Sequence, residues 1–294
     1  MFTNTREAWH PPGARGIFGG VAIAQCIAAG QRTVPADFSI HSCHCYFILA
    51  GSSEIPITYH VERVRDGRSF ATRTVQARQR GKCIFTTTMS FVKAPAREVR
   101  NISHSLAMSV PPGPPEGPSE GTEAIELRGV HVTDGEPSER KARHWVRVRG
   151  KIQSQQAQVA ALAYLTDWYF LGTIPRIHDM NKPPTAPREG DAAAPRESNP
   201  NGIGGASQPA GEGEAPRPRI GMMVSLDHSI YFHEPEQVRA DEWMFVEMES
   251  PWAGTGRGVV TQRVFSRDGV LLATCLQEGV VRLKQDEEGA KAKL

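Results

Sequence analysis

The clearest hydrophobic pattern in the chain is an alternation near its C-terminal end, in the segment VLLATCLQEGVVRL (270–283). Successive side chains of a strand point to opposite faces of a sheet. One face of this segment contains Glu278 and Arg282, so the other face is predicted to be buried. Gln277 lies in the middle of that buried face, where an unpaired amide costs about 1–3 kcal/mol. This cost makes Gln277 a candidate functional residue.

Two blocks of the chain repeat the same order of predicted strands. The first contains IHSCHCYF (40–47) and a later turn at Gly81, and the second contains LDHSIYFH (226–233) and a later turn at Gly269. The His-Ser pair and the glycine are separated by almost the same number of residues in both blocks. Further strands are predicted near residues 55–67, 69–81 and 82–93, and again near 242–250, 256–269 and 270–283.

A helical pattern precedes each block. Small and apolar residues recur at helical spacing in GGVAIAQCIAAGQRTV (19–34) and in SQQAQVAALAYLTDWYFLG (154–172). A helix followed by antiparallel strands, twice over, predicts an α+β fold. Its two sheets each wrap around their own helix, and an internal pseudo-two-fold relates them.

Composition predicts where the halves begin and end. Residues 95–125 are rich in Pro and Gly and are predicted to form a linker. Residues 179–219 have low complexity and are predicted to be a disordered insertion in the second half. The predicted units are therefore residues 1–94, residues 126–284 with that insertion, and a flexible tail at 285–294.

Charge and apolar content argue against several classes of function. The chain has 34 basic and 32 acidic residues and a net charge of +2, which does not favour a nucleic-acid partner. No apolar run reaches the length of a membrane span. Alternation is expected to place His41, Cys43 and Cys45 on one strand face and His44 on the other, and no second ligand pair follows at zinc spacing. Neither a metal nor another cofactor is predicted.

Several long segments match a known family together and in order. They are RGIFGGVAIAQ, HSCHCYFILAG, MVSLDHSIYFH, ESPWAG and DGVLLATCLQEGV, within roughly 12–95 and 140–284. The chain resembles the type-II (TesB-like) acyl-CoA thioesterases, including their peroxisomal members. The resemblance implies a double hotdog fold that hydrolyses fatty acyl-CoA with an activated water. It also implies that the family's first strand and short helix would lie before Met1, leaving one sheet edge incomplete.

The resemblance implies three catalytic residues, namely Asp167 in AYLTDWYFL, Ser225 in MVSLDHS and Gln277 in LQEGV. Asp167 would take a proton from water, which Ser225 and Gln277 would hold because each can donate and accept hydrogen bonds. Apolar neighbours and a position late in a helix are expected to raise the pKa of Asp167. Asp227 and His228 are interpreted as structural, since adjacent strand residues point to opposite faces.

The repeat predicts one working site per chain. Aligning the His-Ser pairs places Phe38 opposite Ser225, and aligning the turn glycines places Met89 opposite Gln277. The first half therefore lacks the polar groups, and Phe38 and Met89 are predicted to form walls for the substrate.

Three further residues are candidates for substrate contacts. Gly19 and Gly20 open the first helix, where free N–H groups are predicted to stabilise the oxyanion. Arg257, near a strand end, is a candidate for binding the phosphates of CoA.

The resemblance and the last residues suggest partners and a location. Ala292-Lys293-Leu294 resembles a peroxisomal address, which predicts a peroxisomal import receptor as partner and the peroxisomal matrix as location. A homo-oligomer is expected by analogy with other hotdog proteins. Two alternatives stay open, namely a non-catalytic acyl-CoA-binding protein and a hotdog hydratase or dehydratase. The latter would need a histidine with a carboxylate partner.

Overall fold

The computed structural model describes residues 1–94, 100, 102–110, 113–117, 119–122, 124–180 and 218–284. The predicted tail at 285–294 and most of the predicted insertion lie outside these residues. The described helices are α1 (Gly19–Gln31), α2 (Gln155–Thr166), α3 (Thr173–Ile177) and a 3-10 turn (Pro235–Gln237). The described strands are β1 (Phe2–Thr3), β2 (Phe38–Phe47), β3 (Thr58–Asp66), β4 (Phe70–Gln79), β5 (Lys82–Lys93), β6 (Glu120–Gly121), β7 (Ile125–Val132), β8 (Lys141–Val148), β9 (Ile220–Ser225), β10 (Asp227–Phe232), β11 (Met244–Gly254), β12 (Arg257–Phe265) and β13 (Leu271–Leu283).

The strands form one antiparallel sheet that runs through both halves, whereas two separate sheets were expected; a large antiparallel sheet with few helices is consistent with the double hotdog fold. Its order is β1-β3-β4-β5-β2-β10-β13-β12-β11-β8-β7-β6, and β9 pairs with the C-terminal part of β13. The two halves meet where β2 pairs with β10, with Cys43 opposite Ile230. The sheet therefore joins the halves through backbone hydrogen bonds.

Helices α1 and α2 lie against each other on the inner side of the sheet. Nine of the thirteen residues of α1 are buried, and Leu162 and Ala163 of α2 are completely buried. Gly20 has no Cβ, and a Cβ there would collide with the Tyr164 carbonyl oxygen of α2. Close approach of the two helices thus requires glycine at position 20. In the part of the chain that the structure describes, no helix has the length and apolar character needed to cross a membrane.

The strands predicted around the two glycine turns are confirmed to within a few residues, and Gly81 and Gly269 have positive φ angles of 76° and 91°. Two differences are informative. Helix α2 ends at Thr166, earlier than its apolar pattern indicates, because the chain turns and Tyr169 takes a φ of 62°. Strands β7 and β8 were not predicted.

The predicted faces of β2 are wrong at His41. A β-bulge between Ile40 and Ser42 adds one residue to β2 relative to β5 and reverses the alternation there. Cys43 and Cys45 are buried, whereas the His41 Nε2 lies 2.8 Å from Ser90 Oγ and the ring contacts exposed Phe70. His41 thus lies on the outer face, opposite the two cysteines. Within the described ranges, no group of three or more His, Cys, Asp or Glu is placed to hold a metal ion.

The predicted linker packs on the outer face of the second half. Met108 and Val110 contact a buried aromatic cluster formed by Trp145, Trp243, Phe245 and Phe265. Beside this cluster, Ser109 donates a 2.5 Å hydrogen bond to buried Glu247, which also pairs with Lys141 and Arg143. The described part of the linker therefore belongs structurally to the second half.

Candidate active site

Gln277 is completely buried on the inner face of β13, as the alternation predicts. Its amide nitrogen donates a 2.7 Å hydrogen bond to the hydroxyl oxygen of Ser225. This contact follows from strand pairing, because Ser225 at the end of β9 lies opposite Gly279, two residues beyond Gln277. The glutamine that alternation marked as costly thus has a side-chain partner from a different strand.

Asp167 caps the C-terminal end of α2 and reaches the beginning of α1. The residue is only 6% exposed, and burial raises the pKa of its carboxyl from 3.8 to about 7. Hydrogen bonds from the Gly20 backbone N–H and the Gln277 side chain act against that rise. The location at a helix C-terminus, where the helix dipole disfavours an anion, also makes ionisation harder. A carboxyl with a pKa near neutral can accept a proton efficiently at physiological pH.

Gly19 allows the Asp167 carboxylate to approach the start of α1. A Cβ at Gly19 would lie 2.7 Å from Asp167 Oδ2 and 2.5 Å from the Phe47 ring. Any larger residue would therefore push the carboxylate away. The structure thus brings together Gly19, Gly20, Asp167, Ser225 and Gln277.

His228 is a member of this cluster that sequence reasoning interpreted as structural. It is completely buried, and its Nδ1 lies 2.5 Å from Gln277 Oε1. Its Nε2 lies 3.0 Å from the hydroxyl of buried Thr166. His228 alternates with the apolar Ile230 and Phe232 of β10, so the strand pattern could have placed it on the inner face beside Gln277.

Aromatic side chains pack beside the polar cluster and bury it. The Phe170 ring meets His228 edge-on at 5.2 Å, and Trp168 packs against Phe18 and Trp9. The Trp168 indole N–H is buried and has no acceptor among the described residues. This apolar wall explains why burial is the largest cause of the shifted pKa values of both Asp167 and His228.

Phe38 and Met89 lie far from Asp167. Phe38 begins β2, where its carbonyl oxygen accepts a 2.8 Å hydrogen bond from Gln31 at the end of α1. Met89 packs against Gly30, eleven residues along α1 from Gly19. At 1.5 Å per residue that is about 16 Å along the helix. The structure therefore does not place these two residues beside the polar cluster.

Arg257 lies near the cluster but on the other side of the sheet from Gln277. Its guanidinium donates a 2.8 Å hydrogen bond to Glu278, the residue that follows Gln277. The side chain is about half exposed and also lies over the Trp252 ring. Arg257 thus presents a charge to solvent while one of its nitrogens is engaged by Glu278.

Comparison with known proteins gives results that agree along the chain. Residues 5–92 match the family model described as the acyl-CoA thioesterase N-terminal domain, and residues 103–281 match that of the C-terminal domain. Acyl-coenzyme A thioesterase 8 of Mus musculus is 34% identical over 97% of this chain and 86% of its own length. Peroxisomal acyl-coenzyme A thioester hydrolase 1 of Saccharomyces cerevisiae is 26% identical, over 92% of this chain and 87% of its own length.

A solved structure extends the similarity to three dimensions. The acyl-CoA thioesterase II TesB2 of Mycobacterium marinum superposes with a TM-score of 0.69 and 30% identity, covering 92% of this chain and 91% of that one. Two matched domain models, a relative above 30% identity and this superposition lead to the same assignment: the chain belongs to the acyl-CoA thioesterase family.

Proposed function

We propose that the chain hydrolyses fatty acyl-CoA to a free fatty acid and CoA with a water activated by Asp167, Ser225 and Gln277. Membership of the acyl-CoA thioesterase family supports the reaction. The observation that supports these residues most strongly is the fully buried Gln277, bonded to Ser225 Oγ beside a carboxyl whose pKa is near 7. A buried polar set of this kind is costly to maintain in a stable core.

In the proposed reaction, water attacks the thioester carbonyl carbon while its proton passes to Asp167. Ser225 and Gln277 hold the water through hydrogen bonds and so orient its lone pair. The tetrahedral intermediate collapses, the carbon–sulfur bond breaks, and the departing thiolate takes the proton from Asp167. The products are a carboxylic acid and the CoA thiol, and the carboxylate of Asp167 is restored.

The N-terminal turn of α1 is the proposed source of oxyanion stabilisation. The positive end of the helix dipole and the first backbone N–H groups of the helix lie at Gly19 and Gly20. The Gly20 N–H already serves the Asp167 carboxylate. We therefore propose that the oxyanion forms closer to the Gly19 N–H, beside the Phe47 ring and the Asp167 carboxyl.

The remaining residues proposed to contact substrate lie outside the polar cluster. Phe38 and Met89, about 16 Å along α1 from Gly19, can contact only the far part of a long acyl chain. Arg257 is proposed to bind a CoA phosphate, which would compete with Glu278 for its guanidinium.

Thiol release from a panel of acyl-CoAs, short to long, tests the activity. The wild type is expected to turn over, and Gln277→Ala is expected to lose about 10²-fold or more in kcat. A folded wild type that binds acyl-CoA without releasing thiol would instead support the non-catalytic binding alternative. Hydration of an enoyl-CoA would support the hydratase, although His228 contacts an amide and a hydroxyl rather than a carboxylate.

We propose a peroxisomal location, with import through Ala292-Lys293-Leu294. One relative bears a peroxisomal name, and a basic residue followed by leucine at the C-terminus fits such an address. The tripeptide lies outside the described residues. A fluorescent protein fused before residue 285 should co-localise with a peroxisomal marker, and removal of the three residues should make it diffuse. Retention in peroxisomes without them would contradict the proposal.

We also propose that the chain forms a homo-oligomer. Tyr46, Tyr231 and Leu276 lie on neighbouring strands at the centre of the sheet and are 46–61% exposed. Large side chains of this kind on a sheet face are typical of protein contacts. Light scattering should give a mass at least twice 32.2 kDa, and Tyr231→Glu should reduce it. A monomeric wild type would rule the proposal out.

A further inference from the structure

The amide of Gln277 can orient the attacking water only if its nitrogen and its oxygen point in the directions that the site requires. An amide has a donor end and an acceptor end, and rotation by half a turn exchanges them. In the structure the nitrogen faces Ser225 and Asp167, while the oxygen faces His228. The opposite orientation would direct the amide oxygen at an ionised carboxylate, an unfavourable contact in a buried site.

His228 has the contacts needed to hold this orientation. The amide oxygen of Gln277 can only accept, so the bond between it and Nδ1 requires a proton on Nδ1. Burial lowers the pKa of His228 to about 4, so the ring is neutral at physiological pH. A neutral ring protonated on Nδ1 has a bare Nε2, which must accept a hydrogen bond.

Thr166 is the donor available to that bare nitrogen. Its hydroxyl donates a 2.8 Å hydrogen bond to the Ala163 carbonyl oxygen and lies 3.0 Å from Nε2, so it can donate to the ring by turning its single proton away from Ala163. The Phe170 ring packs edge-on against the His228 ring. The backbone carbonyl oxygen of His228 accepts a hydrogen bond from the Cys45 thiol. These neighbours constrain the position of the ring, and the contact between Nδ1 and Gln277 Oε1 favours the tautomer protonated on Nδ1.

We propose that His228 is a positioning residue: its Nδ1–H, donated to Gln277, keeps the amide nitrogen turned towards Asp167 and Ser225. His228 touches neither substrate nor water in this scheme and acts only through Gln277. The proposal rests on the proposed role of Gln277 in hydrolysis.

Two substitutions at His228 separate the two ring nitrogens. In His228→Asn the amide nitrogen occupies the place of Nδ1 and can still donate to Gln277. In His228→Gln the amide reaches the place of Nε2 and can contact Thr166, but the donor to Gln277 is lost. Both replace an aromatic ring with a carboxamide, so each serves as the packing control for the other.

The decisive measurement is kcat and KM for both variants in the wild-type and Gln277→Ala backgrounds. With Gln277 present, His228→Gln is expected to lower kcat by about 10- to 100-fold with KM nearly unchanged, and His228→Asn by much less. With Gln277 already removed, both are expected to change kcat by less than about threefold, because interacting positions are not additive. Equal losses in the two backgrounds, or equal losses for Asn and Gln, would overturn the proposal.

The same experiment tests the proposed function separately. If Gln277→Ala turns over as fast as wild type, the role of Gln277 in hydrolysis fails, whatever His228 does. If Gln277→Ala is slow but the His228 effects are additive, only the positioning role fails.

A spectroscopic measurement on the wild type does not depend on variants being active. Nitrogen-15 NMR of histidine-labelled protein reports which ring nitrogen holds the proton, and loss of a signal in His228→Asn assigns it. The proposal requires a neutral ring protonated on Nδ1 at pH 7. A ring protonated on Nε2, or a doubly protonated ring, would overturn it even if His228→Gln failed to fold.

Discussion

The two halves of the molecule have an equivalent position at the end of their long helix, and different side chains occupy it. Thirteen residues after the helix N-cap stands Gln31 in the first half and Asp167 in the second. Gln31 is buried and bonds only to the backbone of Phe38, whereas Asp167 faces the polar side chain of Gln277. The shared framework therefore builds two equivalent ends, and the groups proposed to activate water lie at the end in the second half.

The difference shows how the fold tolerates buried polar groups. In the first half the end of α1 packs against the apolar Met89 and Phe91, and the buried amide of Gln31 donates to the Phe38 carbonyl oxygen. In the second half the polar side chains of Asp167, Ser225, His228 and Gln277 are bonded to one another. The amide at one end is satisfied by backbone, whereas the amide at the other end is satisfied by side chains.

The largest expected effect comes from removing the carboxylate that distinguishes the two ends. Asp167→Asn should lower kcat by at least about 10³-fold, roughly 4 kcal/mol of barrier, because no other group takes the proton. Gln31→Ala at the equivalent position should change kcat by less than about threefold. Steady-state thiol release measures both, and comparable losses would break the comparison.

Asp167→Asn should also stabilise the protein at higher pH. The native pKa of about 7 exceeds the ordinary value of 3.8, so the native state binds the proton more tightly than the unfolded state between these values. The wild type therefore loses stability as pH rises through this window. At pH 8 the variant should be more stable by up to about 4 kcal/mol. Urea unfolding at pH 5 and pH 8 tests this, and a variant equally or less stable at pH 8 would contradict it.

Adding a single methyl group at each of two glycines of α1 compares the two ends of that helix. Gly19→Ala places a Cβ against Asp167 and the Phe47 ring, so kcat should fall by about 10- to 100-fold. Gly30→Ala places a Cβ against the flexible Met89 side chain, which can move, and should leave kcat within about threefold. Thermal unfolding separates activity from folding. Similar kinetic losses for both variants would show that the loss does not depend on contact with Asp167.

Ser225 should matter less than Asp167. Ser225→Ala removes one partner of Gln277 and of the water, but Gln277 keeps His228, so kcat should fall by about tenfold. Ser225→Thr keeps the hydroxyl and should lose less. Measuring both with one acyl-CoA suffices, and a threonine variant as slow as the alanine variant would mean that packing, not the hydroxyl, is required.

The smallest expected effect is the change of kcat/KM of the wild type with pH. If Asp167 is the base, as proposed, only its anion is active, so kcat/KM should rise with pH through a midpoint near 7 and level off above it. Among its neighbours, Tyr164 and Cys45 remain neutral because burial raises their pKa values, and His228 remains neutral because burial lowers its pKa. Asp227, on β10 beside the site, also has a raised pKa. A profile that is flat from pH 5 to 9 would exclude Asp167 as the base.

Sequence patterns predicted the parts of the structure that depend on local periodicity. Alternation placed Gln277 on the buried face of β13, and two glycines marked the hairpin turns. The bulge at His41 was missed because one inserted residue has no compositional mark. His228 was missed as a neighbour of Gln277 because its contacts depend on which strands pair, and that is decided by the whole sheet.

The seam between β2 and β10 has a consequence for how this protein can be taken apart. Backbone hydrogen bonds cross it, and the linker residues Met108 and Val110 complete the outer layer of the second half. A fragment ending before residue 95 would expose the edge of β2. A fragment beginning after residue 117 would expose the edge of β10 and would lack Met108 and Val110, which cover the aromatic cluster. Each would present an open strand to other chains, a common route to aggregation. We therefore expect neither half to be stable when it is expressed, cut out by protease or transferred to another protein without the other half.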